Sequence, residues 1–255
     1  MIIKHISKIF YFDKTFLLLC IIVTLTGLFK QFMIIFFLII IHELGHFLMA
    51  KLFKWKIDKI KIYPYGGCVK FSESLNKPIY QEFLILICGP LFQIIGFLFL
   101  TFLFNKGLIF YQDYLAIKSY NYTLLIFNLL PIYPLDGGKI FNLVCNYFFN
   151  YKSGNKLVII ISYILSIIIL VFNKNYNLLL MIILLFVEIT RYLKNQNFIY
   201  NKFLLERYLN NYNFKKHKVI KDYKKMYRDR KHVIKLNENY VTEKEYLKKH
   251  FGENI

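Results

Sequence analysis

The residues with the clearest capacity for chemistry lie in Ile41-His42-Glu43-Leu44-Gly45-His46-Phe47. Histidines four apart fall on one helix face, one turn apart, so both imidazoles can reach a single ion, and Glu43 between them can approach a water beside it. Zinc takes nitrogen ligands in a tetrahedron and, in catalytic sites, keeps one position open to water. At this chain's His and Glu frequencies the pattern is expected by chance about 0.005 times. Two nitrogens leave the tetrahedron short of a third protein ligand. Asp136 is the candidate, in Asn128-Leu-Leu-Pro131-Ile-Tyr-Pro134-Leu-Asp136-Gly137-Gly138, where prolines and glycines hold the chain out of regular helix and a short carboxylate can be aimed sideways. The alternative for Asp136 is an ordinary cap on the following helix. The implied chemistry is zinc-assisted hydrolysis with Glu43 as general base.

The elements that must position these residues are apolar. Of 255 residues, 57% are hydrophobic and 19% charged, with 27 Phe and 21 Tyr; a soluble domain averages roughly 45–50% and 25%. Apolar runs at 15–29, 31–53, 79–104, 115–131, 157–172 and 176–190 give six candidate spans. They exclude an ordinary soluble globule, and their recurrence excludes a lone cleavable signal peptide. The first and last pairs are joined by short turns and read as helical hairpins. The fourth run carries Asn121 and Asn128 and then Pro131 and Pro134, and broken helix at membrane depth survives only where protein or a water-filled cavity satisfies the freed backbone. An ionisable group inside a span costs roughly 2.5–3.5 kcal/mol on insertion scales and so faces a partner or a cavity. His42 and His46 are the two histidines within spans, and Glu43 is the acid well inside one. Counting inward from Phe53 at a helix rise of 1.5 Å places His46 about 10 Å and His42 about 16 Å from the cytoplasmic end.

The formal net charge of +19 brings nucleic acid to mind, but the position of the charge argues against it. With six spans and a cytoplasmic N-terminus, 30 basic residues fall inside and four (Lys30, Lys106, Lys118, Lys174) outside; without the residues from 191 onward, the count is still 13 against four. The expectation is an all-α membrane protein of about six transmembrane helices with both termini cytoplasmic, a span domain at 1–190, and a short basic tail at 191–255. The bilayer is the expected partner of the basic tail, and nucleic acid is not.

Between the second and third spans, Trp55-Lys-Ile-Asp-Lys-Ile-Lys-Ile-Tyr63 alternates apolar and polar residues, Pro64-Tyr65-Gly66-Gly67 turns, and Cys68-Val-Lys-Phe71 follows. This reads as a small membrane-surface β-hairpin with an edge for an extended peptide, or as a plain amphipathic connector. The tail holds the apolar groups Lys218-Val-Ile220 and His232-Val-Ile234 around a helical stretch. It is either a small cytoplasmic domain, marginal in length for its own core, or a membrane-hugging segment. Cys20, Cys68, Cys88 and Cys145 form no C-x-x-C pair and read as small packing residues.

The pairing of His42-Glu43-Leu-Gly-His46 with Asn128…Pro131…Pro134-Leu-Asp136-Gly137 resembles the site-2-protease family of intramembrane zinc proteases, over roughly residues 31–140. The six-span plan, Pro64-Tyr-Gly-Gly67, Cys88-Gly89-Pro90 and the compact Asn-Leu-Leu-Pro-x-x-Pro-Leu-Asp-Gly-Gly form are most similar to its stage IV sporulation branch. The resemblance implies one zinc ion per chain on His42, His46 and Asp136, with Glu43 catalytic. It implies a membrane-associated protein substrate, which for that branch is the inactive precursor of a late sporulation sigma factor. Asn128, with Pro131, Pro134, Gly66 and Gly67, would help position that substrate. The implied location is a bacterial inner or forespore-surrounding membrane, with regulatory membrane proteins as further partners. Two features depart from the family. Gln93 follows the Gly-Pro motif where Asn is common, and the tail is only faintly similar, at Phe203-Leu-Leu-Glu-Arg-Tyr208 and Met226-Tyr-Arg-Asp-Arg-Lys-His-Val233, to the cystathionine-β-synthase-type nucleotide sensor of many branch members. Anti-sigma factors and remnant signal peptides are alternative substrates for the same chemistry. Readings from other classes are a catalytically silent metal-binding membrane scaffold and a prenyl-protein-type protease, which would take its third ligand from Glu188.

Overall fold

The computed structural model describes residues 10–12, 23–63, 66–71, 75–172, 176–236 and 239–252. Most of the expected first span, 15–29, lies outside them. The chain forms two compact units, Met1–Glu73 with Leu84–Leu129, and Ser74–Phe83 with Leu130–Ile255.

The first unit holds β1 (Phe10–Phe12), α1 (Phe29–Leu52), β2 (Ile57–Tyr63), β3 (Gly66–Phe71), most of α2 (Ile79–Asn105) and α3 (Tyr111–Leu129). Helices α1 and α2 are long and apolar enough to cross a membrane. Their outward faces expose Phe37, Ile40, Leu44 and Leu48 on α1 and Leu91, Ile95, Leu98 and Phe99 on α2, a surface suited to lipid and not to water. Small residues bring the two helices together: a Cβ on Gly45 would collide with the Cys88 backbone, and one on Gly96 would sit 2.9 Å from Ile41 Cγ2. Lys30 and Asp113 pair at 2.5 Å, tying the starts of α1 and α3. The expected hairpin is present, with Ile60 opposite Val69 and Tyr63 opposite Gly66. β1 adds to it in parallel, Phe10 opposite Ile60. Helix α3 stops at Leu129 because the residue before Pro131 is sterically pushed out of the α region.

The second unit holds α4 (Asp136–Phe148), α5 (Tyr151–Phe172), α6 (Tyr176–Lys194), α7 (Gln196–Leu209), β4 (Lys216–Ile220), β5 (Arg230–Leu236), β6 (Asn239–Thr242) and α8 (Glu243–Gly252). α5 is the third helix long and apolar enough to cross a membrane among the described residues; six such helices were expected. α3 and α6 stand where the fourth and sixth were placed. The tail is folded, with its strands in the order β4-β5-β6. Val219 lies opposite Val233 in parallel, and Ile234 opposite Val241 antiparallel. These strands contain the two apolar groups seen in the sequence.

A segment this short gains a core by borrowing from α5. Phe203, Leu204, Ile220, Met226, Ile234 and Leu247 close around Tyr151, the first residue of α5. The Tyr151 ring stacks on Phe203 at 4.3 Å, and its N–H donates to the Met226 carbonyl at 2.9 Å. A buried polar network fixes the chain before α2 to the same module. Arg207 donates to Asn76 Oδ1 at 2.7 Å, to Glu243 Oε1 at 2.9 Å and to the Tyr227 carbonyl at 2.9 Å. Arg228 pairs with Glu82 at 2.5 Å, and Asp229 accepts from the Ile79 N–H at 2.9 Å, satisfying one of the open donors at the start of α2.

Candidate metal centre

His42 and His46 are 3% and 6% exposed. Their Nε2 atoms face each other at 3.1 Å. What each ring does with its other nitrogen decides the chemistry. His46 Nδ1 lies 2.8 Å from the Ile85 carbonyl, which can only accept, so that nitrogen carries the proton. His42 Nδ1 lies 2.9 Å from Gln93 Oε1. The orientation of the Gln93 amide is fixed in turn, because its nitrogen donates to the Asn121 carbonyl at 3.0 Å and to Asn121 Oδ1 at 3.1 Å. Both Nδ1 atoms therefore donate, and both Nε2 lone pairs converge. Two nitrogen lone pairs this close repel unless a proton or a cation lies between them; the donor set fits zinc, and the partners on Nδ1 are of the kind that orient metal-binding histidines. Helix α2 can pass this pair only without a side chain at Gly89, where a Cβ would overlap the His46 ring and come within 2.9 Å of His42 Nε2.

Asp136 is the first residue of α4 and is 7% exposed. The N-cap position is Leu135, with no side-chain cap, so the capping alternative for Asp136 is not what the structure shows. Its Oδ1 accepts from Lys139 Nζ at 3.1 Å. Gly138 permits the tight approach of the preceding stretch, since a Cβ there would collide with the Ile132 and Tyr133 backbone. His42 and His46 in the first unit, and Asp136 in the second, are each buried and each offer an atom able to bind a metal ion.

Glu43 is half-buried on α1. Asn128 is half-buried in the last turn of α3, and Pro131 and Pro134 are half-buried in the irregular stretch that follows. Gly66 and Gly67 open β3, opposite Tyr63 and Ile62. Glu188, the alternative third ligand, is ion-paired with Arg191 at 2.5 Å on α6. Cys88 and Cys145 are buried free thiols, in keeping with packing roles. Sequence reasoning missed the work of Gln93, Asn121 and the Ile85 carbonyl. The one available signal was spacing: Gln93 follows Gly89 by four residues and so shares its helix face.

Residues 31–116 and 103–172 match Peptidase family M50. The chain is similar to Stage IV sporulation protein FB of Bacillus subtilis, 30% identical over 190 residues covering 72% of this chain and 66% of that protein. It is similar to a zinc metalloprotease of Methanocaldococcus jannaschii, 32% identical over 160 residues covering 61% of this chain and 46% of that one. The chain thus spans just under two thirds and just under half of these relatives. Among solved structures, the Site-2 Protease from Methanocaldococcus jannaschii matches with a TM-score of 0.57 at 25% identity, over 71% of this chain and 89% of that one. The match from 31 to 172 takes in both histidines and Asp136, and on it the chain belongs to peptidase family M50, the site-2 metalloproteases.

Proposed function

We propose that this protein is an intramembrane zinc endopeptidase that activates a membrane-associated precursor of a sporulation sigma factor. The observation that carries the reading is the convergence of the Nε2 atoms of His42 and His46, 3.1 Å apart inside an apolar helix. His42, His46 and Asp136 would hold one zinc ion, which when bound polarises the scissile carbonyl and acidifies a water. Gln93 and the Ile85 carbonyl keep the Nδ1 protons in place, so the Nε2 lone pairs stay available. Glu43 takes a proton from the attacking water as its oxygen bonds to the carbonyl carbon, and delivers it to the amide nitrogen as the C–N bond breaks.

A helical substrate hides its peptide bonds, so cleavage requires a locally extended segment. β3 is an edge of its sheet among the described residues and offers a strand-addition site, with Gly66 and Gly67 at its start. Asn128, Pro131 and Pro134 position the unwound segment. The full arrangement has six spans in the domain 1–190, the tail 191–255 and both termini in the cytoplasm. The sporulation substrate is favoured by the likeness to the Bacillus subtilis sporulation protein.

The test is co-expression of a candidate sigma-factor precursor with wild type or Glu43→Gln, read by a size shift. Wild type shortens the precursor and Glu43→Gln leaves it intact while staying inserted and zinc-bound. Cleavage by purified Glu43→Gln would overturn the mechanism. Cleavage of an anti-sigma factor or a remnant signal peptide instead of the precursor would reassign the substrate.

A further inference from the structure

Cations gather at the end of α4. Lys216 Nζ donates to the Tyr147 hydroxyl at 3.0 Å, and Arg230 donates to the Tyr147 carbonyl at 3.3 Å. Lys218 Nζ and the Arg230 guanidinium lie 3.7 and 4.8 Å from the centre of the Tyr227 ring. Strand register explains the grouping. β4 and β5 run parallel with Lys216 opposite Arg230 and Lys218 opposite His232, and alternate residues of a strand share a face. None of the three cations is ion-paired to a carboxylate among the described residues. The hydrogen bond from Lys216, then the charges of Lys216 and Arg230, hold the Tyr147 phenol below its ordinary range. Like charges assembled without an acid create a local field suited to an anion.

The surroundings say which anion. Tyr147, Phe148 and Phe149 are 45%, 66% and 49% exposed. They come just before Tyr151, where α5, a helix long and apolar enough to cross a membrane, begins. Exposed aromatic rings at the end of a span occupy the membrane–water interface, and cations just beyond them reach lipid phosphates. An acidic peptide would answer the charges but not the exposed rings. We propose that Tyr147, Lys216, Lys218 and Arg230 bind the phosphate of an anionic phospholipid and so pin the C-terminal module to the bilayer surface.

The experiment uses the full chain in nanodiscs of phosphatidylcholine doped with phosphatidylglycerol, with retained lipid counted by native mass spectrometry. The variant Lys216→Ser/Lys218→Ser/Arg230→Ser is compared with Lys231→Ser/Lys235→Ser/Lys244→Ser, which removes the same charge from exposed positions of the module. The expected result is a 10- to 100-fold loss of retained phosphatidylglycerol in the first variant and retention in the second. Equal loss in both would reduce the site to general basic charge, and no loss in either would remove it. Displacement of the lipid by inorganic phosphate would make it a free-anion site, and displacement by a poly-glutamate peptide would make it a protein-docking site; both overturn the proposal. Should the triple variant misfold, Tyr147→Phe/Lys216→Gln is read in the same assay, where a severalfold loss is expected and an unchanged lipid count refutes it.

Discussion

His42 Nδ1 and Gln93 Oε1 are 2.9 Å apart, and this bond joins the helix that carries the two candidate metal-binding histidines to the helix packed against it. Gln93 is 1% exposed and spends its amide nitrogen on Asn121, so a single side chain connects α1, α2 and α3 around one imidazole. Losing such a partner frees the ring to rotate and to change tautomer. Gln93→Leu should lower zinc affinity roughly 10–100-fold, whereas Gln93→Glu, which retains an acceptor for Nδ1–H but loses the N–H donated to Asn121, should lose less. Competition with a chromogenic chelator measures both, and an unchanged affinity in Gln93→Leu would deny the residue a positioning role. Gln93→Asn is one methylene shorter and should fall between them.

Gly89 allows α2 to lie beside the two imidazoles. Its missing side chain is a requirement of space, because a Cβ there meets the His46 ring and His42 Nε2. Gly89→Ala should displace the histidines or separate the helices, at a cost of about 1–3 kcal/mol for overpacking. Zinc stoichiometry of the purified variant should fall well below one per chain. A Gly89→Ala protein with full metal load and wild-type melting temperature would show that the helices adjust freely.

The candidate site residues were legible in the sequence because charge is so scarce in the apolar runs that His42, Glu43 and His46 stand out against an apolar background. Asp136 was legible through the prolines and glycines that break the helix before it. Gln93 was not: it departs from the common residue of its motif, and its partner Asn121 is 28 residues away on another helix. The hairpin could be read from its alternation, whereas β1 could not, since it joins β2 from far earlier in the chain. The tail looked too short for a core because the ring that completes it, Tyr151, belongs to the start of α5, a long apolar helix that precedes the tail in sequence. Local pattern carried the elements, and long-range pairing carried the rest.

Arg207 organises the C-terminal module. It is 2% exposed, and its guanidinium bonds to Asn76, Glu243 and the carbonyls of Arg230 and Tyr227. Removing one partner of a buried pair strands the other, so Arg207→Met should destabilise the module by about 3–5 kcal/mol. Arg207→Met/Glu243→Leu removes both charges and should recover part of that loss. Limited proteolysis of the membrane-embedded protein reports the module directly, with faster cleavage after residue 195 in the single variant than in the double. Equal cleavage rates in wild type and Arg207→Met would show that the network contributes nothing to stability.

The same network sets a pH response. His232 Nε2 accepts from the Tyr227 N–H at 3.0 Å, so the ring's proton sits on Nδ1, facing Glu243 Oε2 at 3.2 Å. The neutral ring is fully satisfied, and a second proton would point at an N–H. Burial accordingly pushes the His232 pKa below its ordinary 6.5. For Glu243, burial acts upward, but the hydrogen bond from His232 and the charge of Arg207 outweigh it, and its carboxyl lies below the ordinary 4.5. In both cases the unfolded chain takes up a proton at a higher pH than the folded one, so stability is present above the unfolded value and lost as pH falls through the folded value. Module stability should be flat above about pH 7, begin to decline near the unfolded histidine value of about 6.5, and decline further below that of the carboxylate, about 4.5. Melting in detergent between pH 4 and 8 traces the curve. In His232→Gln the decline that starts near pH 6.5 should vanish while the one below about 4.5 persists, and a first decline that survives this substitution would assign it to another group.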